Sequence, residues 1–224
     1  IFEGLKEGAL TMQHGGGVGY DFSTLRPAGA PAWRVGGVAS GPISFMHIWD
    51  RMCETLLSSA TRRGAMMGTL RCDHPDIGAF IDAKRQPGAL THFNLSVLVS
   101  DAFMRSLAED GDWPLRFPAG PDGDVVRVLP ARSLWERLLR ASYDCAEPGV
   151  LFIDRINQSN NLAYCERISA TNPCGELPLL ANESCNLGSI RLEVRHNVCL
   201  DCNRCSISVA CPEDAYDRTP LPAS

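Results

Sequence analysis

Cys174 stands in the run "TNPCGELPLLANESCNLGSI" (residues 171–190), with the amide of Asn172 two positions before it and the carboxylate of Glu176 two after. A second thiol, Cys185, follows eleven positions on. Pro173 and Gly175 flank the first cysteine, which predicts a tight turn that exposes its sulfur. Glu176 could accept or donate a proton beside whatever Cys174 attacks, and Asn172 could orient a hydroxyl. No histidine lies nearby in the chain to serve as the base of a cysteine hydrolase, which counts against acyl transfer. On these residues alone, a disulfide involving Cys185 and a turn with incidental buried thiols stay open.

Other side chains invite chemistry less directly. The run "GGGVGYDF" (residues 15–22) fails the dinucleotide fingerprint, because the third glycine position falls on Tyr20 or Phe22, and no lysine follows to complete a phosphate loop. Arg62 and Arg63 in "SSATRRGAMMG" could fork onto phosphate, with Gly64 letting the backbone close in, or form a solvated basic turn. His74 and Asp76 beside Cys72 could ligate a metal, but helix capping by Asp73 explains the stretch more simply.

These groups need a scaffold, and the composition describes one. The 224 residues carry 26 acidic and 21 basic side chains, a formal net charge of −5 that leaves no basic footprint for nucleic acid. Hydrophobic residues make up 45% and charged residues 21%, the balance of a globular protein. No apolar run approaches the roughly 18 residues needed to cross a bilayer. Ten cysteines without a signal peptide argue for catalytic, metal-binding or buried thiols in the cytoplasm, against a secreted disulfide scaffold. The opening "IFEGLKEGAL" reads as the middle of an amphipathic helix, so a fragment is expected.

Helical spacing of Phe2, Leu5, Ala9, Leu10 and Met12 predicts a helix over residues 2–14, followed by a short extended segment. The proline- and glycine-rich residues after it predict a long ordered loop. A second helix is expected over residues 43–59, with Ile43, Met46, Ile48, Trp49, Met52, Leu56 and Leu57 on its buried side. "RRGAMMGTLRC" reads as a loop feeding a strand, "HPDIGAFIDAK" as a capped helix with proline in its first turn, and "HFNLSVLVSDAFM" as a buried strand entering a helix. Residues 114–124 read as a proline- and glycine-rich interruption, residues 131–143 as a helix, and "EPGVLFIDRIN" as a turn into an apolar strand. Helices alternating with short buried strands imply an α/β domain. The apolar periodicity stops near Glu193, which divides the chain into residues 1–192 and a cysteine-rich tail, 193–224.

Taken together, "EGALTMQHGGGVGYDFSTLRPAGAP", "SGPISFMHIWDRMC", "RRGAMMGTLRCDHPDIGAFIDAK", "FNLSVLVSDAFM", "EPGVLFIDRIN" and "TNPCGELPLL" with "ESCNLGSI" resemble, in order, the ribonucleotide reductases of the adenosylcobalamin-dependent class. The resemblance covers residues 1 to about 192. It implies a partial ten-stranded α/β barrel, roughly the first half-barrel plus a finger loop. Cys174 would be the thiyl radical that takes the ribose 3′ hydrogen, Glu176 would take the 3′-hydroxyl proton, and Asn172 would bind the sugar hydroxyls. Such chemistry calls for shielding from solvent, as in a barrel interior. Cys185 matches the family's reducing thiol, whose partner lies upstream of the first helix; Cys72 does not occupy the partner's place.

The resemblance also makes Arg62, Arg63, Gly64 and Ala65 a specificity loop, and residues 26–37, with Arg26, Gly36 and Gly37, a neighbouring effector loop. It implies a ribonucleotide substrate, a deoxynucleoside triphosphate effector, a thioredoxin-like or other dithiol reductant, and a homodimer for the full-length protein. Leu177 stands where the family usually has glutamine, and Gly78 where an acidic residue is common. The upstream thiol, the second half-barrel and the carboxy-terminal shuttle cysteines are missing, so little or no reductase activity is expected of the chain alone. A radical taken from a separate metal-containing subunit is the alternative within the family.

The tail resembles a ferredoxin-type segment. Cys199, Cys202 and Cys205 follow a C-x2-C-x2-C rule and Cys211 precedes a proline, but five residues separate the last pair where three are usual. A [4Fe-4S] cluster, a zinc ion or an unstructured end are the readings there, and the first would make the chain an electron-transfer module.

Overall fold

The computed structural model describes residues 1–32, 36–57, 64–118 and 120–184. The chain divides into two compact units, Ile1–Cys185 and Asn186–Ser224, and the second lies outside the described residues. In order, the first unit runs α1 (Phe2–Gln13), β1 (Val18–Asp21), β2 (Pro31–Ala32), β3 (Gly37–Val38), α2 (Pro42–Leu57), β4 (Met66–Arg71), α3 (Ile77–Ile81), β5 (Phe93–Val99), α4 (Asp101–Ala108), β6 (Asp112–Phe117), β7 (Asp124–Pro130), α5 (Ala131–Cys145), β8 (Gly149–Phe152), α6 (Ile153–Ser159), β9 (Ala170–Thr171) and β10 (Pro178–Leu179).

Alternation along β4 and β5 gives the sheet its two faces. Successive strand residues point to opposite sides, and Met66, Leu70, Phe93, Leu95, Val97 and Val99 all join the helix-packed core. Each such side chain, fully buried, is worth about 1.5–3 kcal/mol. Met46, Trp49 and Cys53 of α2 cover this face, and Phe22 meets Trp49 and Phe93 edge-on with ring centroids 5.8 and 5.9 Å apart. The opposite face presents Gly19, Met67, Thr69, Asn94 and Ser96. The four strands are parallel in the order β1-β4-β5-β8. Mixed α/β architecture is therefore as expected. Among the described residues the sheet is open, and no closed barrel is formed.

Several expectations need correcting. Residues 114–124 are an interruption only in part: 114–117 belong to β6 and Asp124 to β7, which pair antiparallel with Pro114 opposite Val128. The hairpin is anchored by Trp113, whose indole N–H donates to the Cys72 carbonyl at 3.0 Å. The long loop after β1 contains the short antiparallel pair β2–β3. Helix α3 starts after Asp76, with Pro75 ahead of it; Asp73 is drawn away because Arg71 grips both its oxygens, at 2.9 and 3.0 Å. Ile48 is exposed on α2, as are Phe2 and Leu10 on α1, where Gly8 and Met12 are the buried positions. No helix among the described residues is long and apolar enough to cross a membrane.

Candidate active site

The "NPCGE" segment is the turn of a small hairpin. β9 and β10 pair antiparallel, Thr171 against Pro178, and Asn172 closes the turn twice. Its backbone N–H donates to the Leu177 carbonyl at 3.0 Å, and its side-chain Oδ1 accepts the Leu177 N–H at 3.1 Å. The Asn172 carbonyl then takes the Gly175 N–H at 3.1 Å. Gly175 adopts φ +87°, a left-handed conformation that suits glycine. Cys174 and Glu176 are exposed on this turn, and Asn172 is half-buried. With one bond already accepted at Oδ1, Asn172 keeps its Nδ2 donors free for a ligand hydroxyl.

The turn rests on the small and polar face of the sheet. One register row, Gly19–Met67–Asn94, crosses β1, β4 and β5 beneath it. Gly19 lies against the Thr171 carbonyl, Met67 Cε lies near Gly175, and Gly17 lies under the Pro173 ring. Asn94 Nδ2 donates to the Pro173 carbonyl at 2.7 Å. Thr69, fully buried one pleat further on, gives its hydroxyl to the Tyr20 carbonyl at 3.2 Å and reaches the Ser169 carbonyl at 3.5 Å. The glycine-rich run is thus a seat for the hairpin, which explains glycine spacing that fits no phosphate-binding pattern. Asn94 escaped the sequence reading; its signal was a polar residue alternating with Phe93 and Leu95 in a mostly apolar strand.

The shielding expected for Cys174 is not found among the described residues. An open four-stranded sheet covers one side of the turn and leaves its tip bare. Beside the hairpin, Val150, Phe152, Ile156, Ile168 and Pro178 line an apolar groove of about 600 Å³. Two of its polar members are already engaged: Arg155 donates to Asp101 at 3.0 Å and Asn160 to Glu166 at 2.8 Å.

The other site residues fall at two ends of the β1–β4 pair. Gly64 and Ala65 sit at its amino-terminal end, where the Ala65 carbonyl accepts the Val18 N–H at 3.2 Å. The β2–β3 hairpin sits at the carboxy-terminal end. Its Arg26 guanidinium donates to the Pro31 carbonyl at 3.2 Å, and Gly36 and Gly37 are exposed near its tip. The hairpin base is fixed by the turn after β4. Asp76 accepts the Ala28 N–H at 2.8 Å. His74, fully buried, accepts the Asp76 N–H on Nδ1 at 3.1 Å, so its Nε2 donates to the Leu25 carbonyl at 2.9 Å. Burial lowers the His74 pKa, and the carbonyl and nearby carboxylates offset part of that. His74 and Asp76 therefore have a structural role in this chain, and no group of three or more possible metal ligands occurs among the described residues. Burial also pushes the Cys72 thiol up to about 12, which makes it inert.

Arg62, Arg63, Cys185, Cys199, Cys202, Cys205 and Cys211 lie outside the described residues.

Comparison with known proteins places this geometry in context. The profile of a family described as "Ribonucleotide reductase, barrel domain" matches residues 1–209. A "Vitamin B12-dependent ribonucleoside-diphosphate reductase" of Mycobacterium tuberculosis is 46% identical over 193 residues, covering 86% of this chain and 28% of that protein. The protein of the same name from Thermoplasma acidophilum is 43% identical over 86% of this chain and 25% of its own length. A "Vitamin B12-dependent ribonucleotide reductase" of Streptomyces avermitilis is 34% identical over 86% of this chain and 22% of its own length. The chain spans about a quarter of the length of these curated relatives.

Proposed function

The chain belongs to the ribonucleotide reductase barrel-domain family, and from that membership we propose that it carries the radical cysteine of an enzyme reducing ribonucleotides to deoxyribonucleotides. The observation that supports this most is the hairpin turn, which leaves Cys174 and Glu176 exposed on a rigid seat on the sheet. A sulfur radical is a strong enough hydrogen acceptor to take the 3′ hydrogen of a bound ribose. Glu176 then accepts the 3′-hydroxyl proton, the 2′-hydroxyl takes a proton from a thiol of the reducing dithiol and leaves as water, and Cys174 finally returns the 3′ hydrogen. Asn172 donates from Nδ2 to a sugar hydroxyl. The two electrons come from a dithiol that includes Cys185, renewed by an external dithiol reductant.

A cobalamin cofactor is the radical source that the named relatives favour, since those 34–46% identical are called vitamin B12-dependent. The exposed Cys174 fits a source that approaches from outside the chain. When bound, adenosylcobalamin would supply the one-electron oxidising equivalent through homolysis of its cobalt–carbon bond. The chain's own part is to hold the sulfur, the carboxylate and the amide in fixed relation. The wider surroundings of the complete protein would exclude water from them.

Arg26, Gly36 and Gly37 on one side, and Arg62, Arg63, Gly64 and Ala65 on the other, would respond to a deoxynucleoside triphosphate, coupling effector to substrate choice. Of these, Gly64 and Ala65 lie at the amino-terminal end of the β1–β4 pair, and Gly36 and Gly37 belong to the hairpin at the other end. A homodimer of the complete protein lets them meet across two copies. For the tail, the family match extends to residue 209 and takes in Cys199, Cys202 and Cys205. That favours continuation of the barrel segment over a separate iron–sulfur module.

The deciding experiment is Cys174→Ser in the complete enzyme, supplied with adenosylcobalamin, ribonucleoside diphosphate and dithiol. Deoxyribonucleotide formation should fall to background. Turnover at the wild-type rate would sink the assignment.

A further inference from the structure

Asn94 is an unusual residue for the middle of a sheet, because asparagine is depleted in strands. It lies on β5, paired in register with Met67 on one side, and it is exposed. Its side chain does not bond to its own strand or to a neighbouring one. Its Nδ2 donates instead to the carbonyl of Pro173 at 2.7 Å. That carbonyl belongs to the peptide unit whose nitrogen is the amide of Cys174.

The other members of the row under the turn act through shape alone. Gly19 lets the Thr171 backbone approach, Gly17 leaves room for the Pro173 ring, and the Met67 terminal methyl lies near Gly175. Asn172 fixes the turn internally, to Leu177 and Gly175. None of these contacts sets the rotation of the Pro173–Cys174 peptide plane about the chain, whereas a directional donor from the sheet does. That plane fixes where the Cys174 Cα–Cβ bond points, and so where the sulfur sits relative to Glu176.

We infer that Asn94 is a positioning residue for the Cys174 sulfur: its amide locks the peptide plane ahead of the thiol and aims the sulfur at the reacting carbon. The inference rests on the radical reading of Cys174 given above. The contact is a single hydrogen bond of modest net worth to stability, but its leverage on rate is larger. Displacing a reacting group by about 1 Å can cost on the order of a hundredfold.

The test uses the complete enzyme with Asn94→Ala and Asn94→Asp. The aspartate has the same shape, lacks the donor, and sets a carboxylate against the carbonyl. Both variants are expected to lower kcat about 10- to 100-fold with substrate KM unchanged, because Asn94 acts on the sulfur and not on binding. Without cofactor, the rate at which iodoacetamide alkylates Cys174, followed by mass spectrometry, should shift in both. Melting temperature should stay within about 2 °C, as for an exposed substitution. Wild-type kcat and alkylation rate in both variants would overturn the inference. So would a large parallel drop in melting temperature, which would make Asn94 a residue of the fold. The Cys174→Ser control separates the two readings: if that variant still reduces ribonucleotides, the radical assignment fails, while the alkylation rates continue to judge whether Asn94 places the thiol.

Discussion

The carbonyl of Thr171 lies so close to Gly19 that a β-carbon on Gly19 would come within 1.8 Å of its oxygen. Backbone meets backbone there, so no side-chain rotation can relieve the contact. Gly17 repeats the relationship with Pro173, whose Cγ would lie 2.3 Å from an added β-carbon.

Gly19→Ala should therefore push the hairpin off its seat while β1 stays paired with β4 through its backbone. The expected cost is about 1–3 kcal/mol of overpacking. Reductase turnover of the complete enzyme should fall far more than stability, because the hairpin carrying Cys174 is the part that moves. Comparing kcat with the denaturation midpoint tests this. A variant with normal turnover would show that the hairpin does not need its seat.

The outlines of this fold were readable because helices and buried strands advertise themselves by periodicity. Met46, Trp49 and Cys53 on α2, and Phe93, Leu95 and Val97 on β5, alternate as their elements require. The β6–β7 hairpin was not readable. The valines of β7, Val125, Val126 and Val128, are about half exposed, so no buried face imposes alternation on that strand, and Pro114 and Pro118 mimic a loop. The NPCGE turn was legible from its proline and glycine. Its seat was not, because a glycine's type shows that something comes close without showing what. Thr171 and Pro173 lie far along the chain from Gly17 and Gly19, and no local spacing links them. Asp73 misled for a related reason: as a cap it was plausible locally, but Arg71 binds it first.

His74 gives a pH dependence of known sign. Burial holds its pKa below the ordinary imidazole value of 6.5, while Asp76, Asp73 and Asp21 pull it back up. The unfolded chain therefore takes up a proton that the folded chain refuses. Stability contributed by neutral His74 is fully present above about pH 6.5 and is lost as pH falls towards the folded value, at a slope of at most about 1.4 kcal/mol per pH unit. Asp21, raised from 3.8 mainly by burial, works the other way, lending stability that is greatest below that value and lost as pH rises. Denaturation midpoints measured from about pH 8 down to about pH 5 should fall for the wild type. His74→Gln should be less stable throughout and show a flatter acid limb. An unchanged slope would mean that His74 is not the group that titrates.

Tyr20 and Gly8 form a third close pair, and here the coupling can be measured directly. Burial pushes the Tyr20 phenol up to about 12, the facing Trp49 N–H offsetting only part of this. Even so, neither Tyr20 Oη nor Trp49 Nε1 completes a hydrogen bond of normal geometry. Tyr20→Phe should then be close to neutral, since the hydroxyl it removes is buried without a sound partner. A β-carbon on Gly8 would come 1.6 Å from Tyr20 Oη but 3.0 Å from the ring carbon that bears it. Gly8→Ala alone should destabilise by about 1–3 kcal/mol through overpacking, despite a gain of roughly 0.5–1 kcal/mol from alanine in a helix. With the hydroxyl removed, most of the clash goes and the helical gain remains, so Gly8→Ala in the Tyr20→Phe background should be neutral or stabilising. A double-mutant cycle on denaturation midpoints should return a coupling of about 1–3 kcal/mol. Additive effects would mean that α1 shifts to make room, and that the contact between helix and strand is looser than the packing of Met12 against the same core implies.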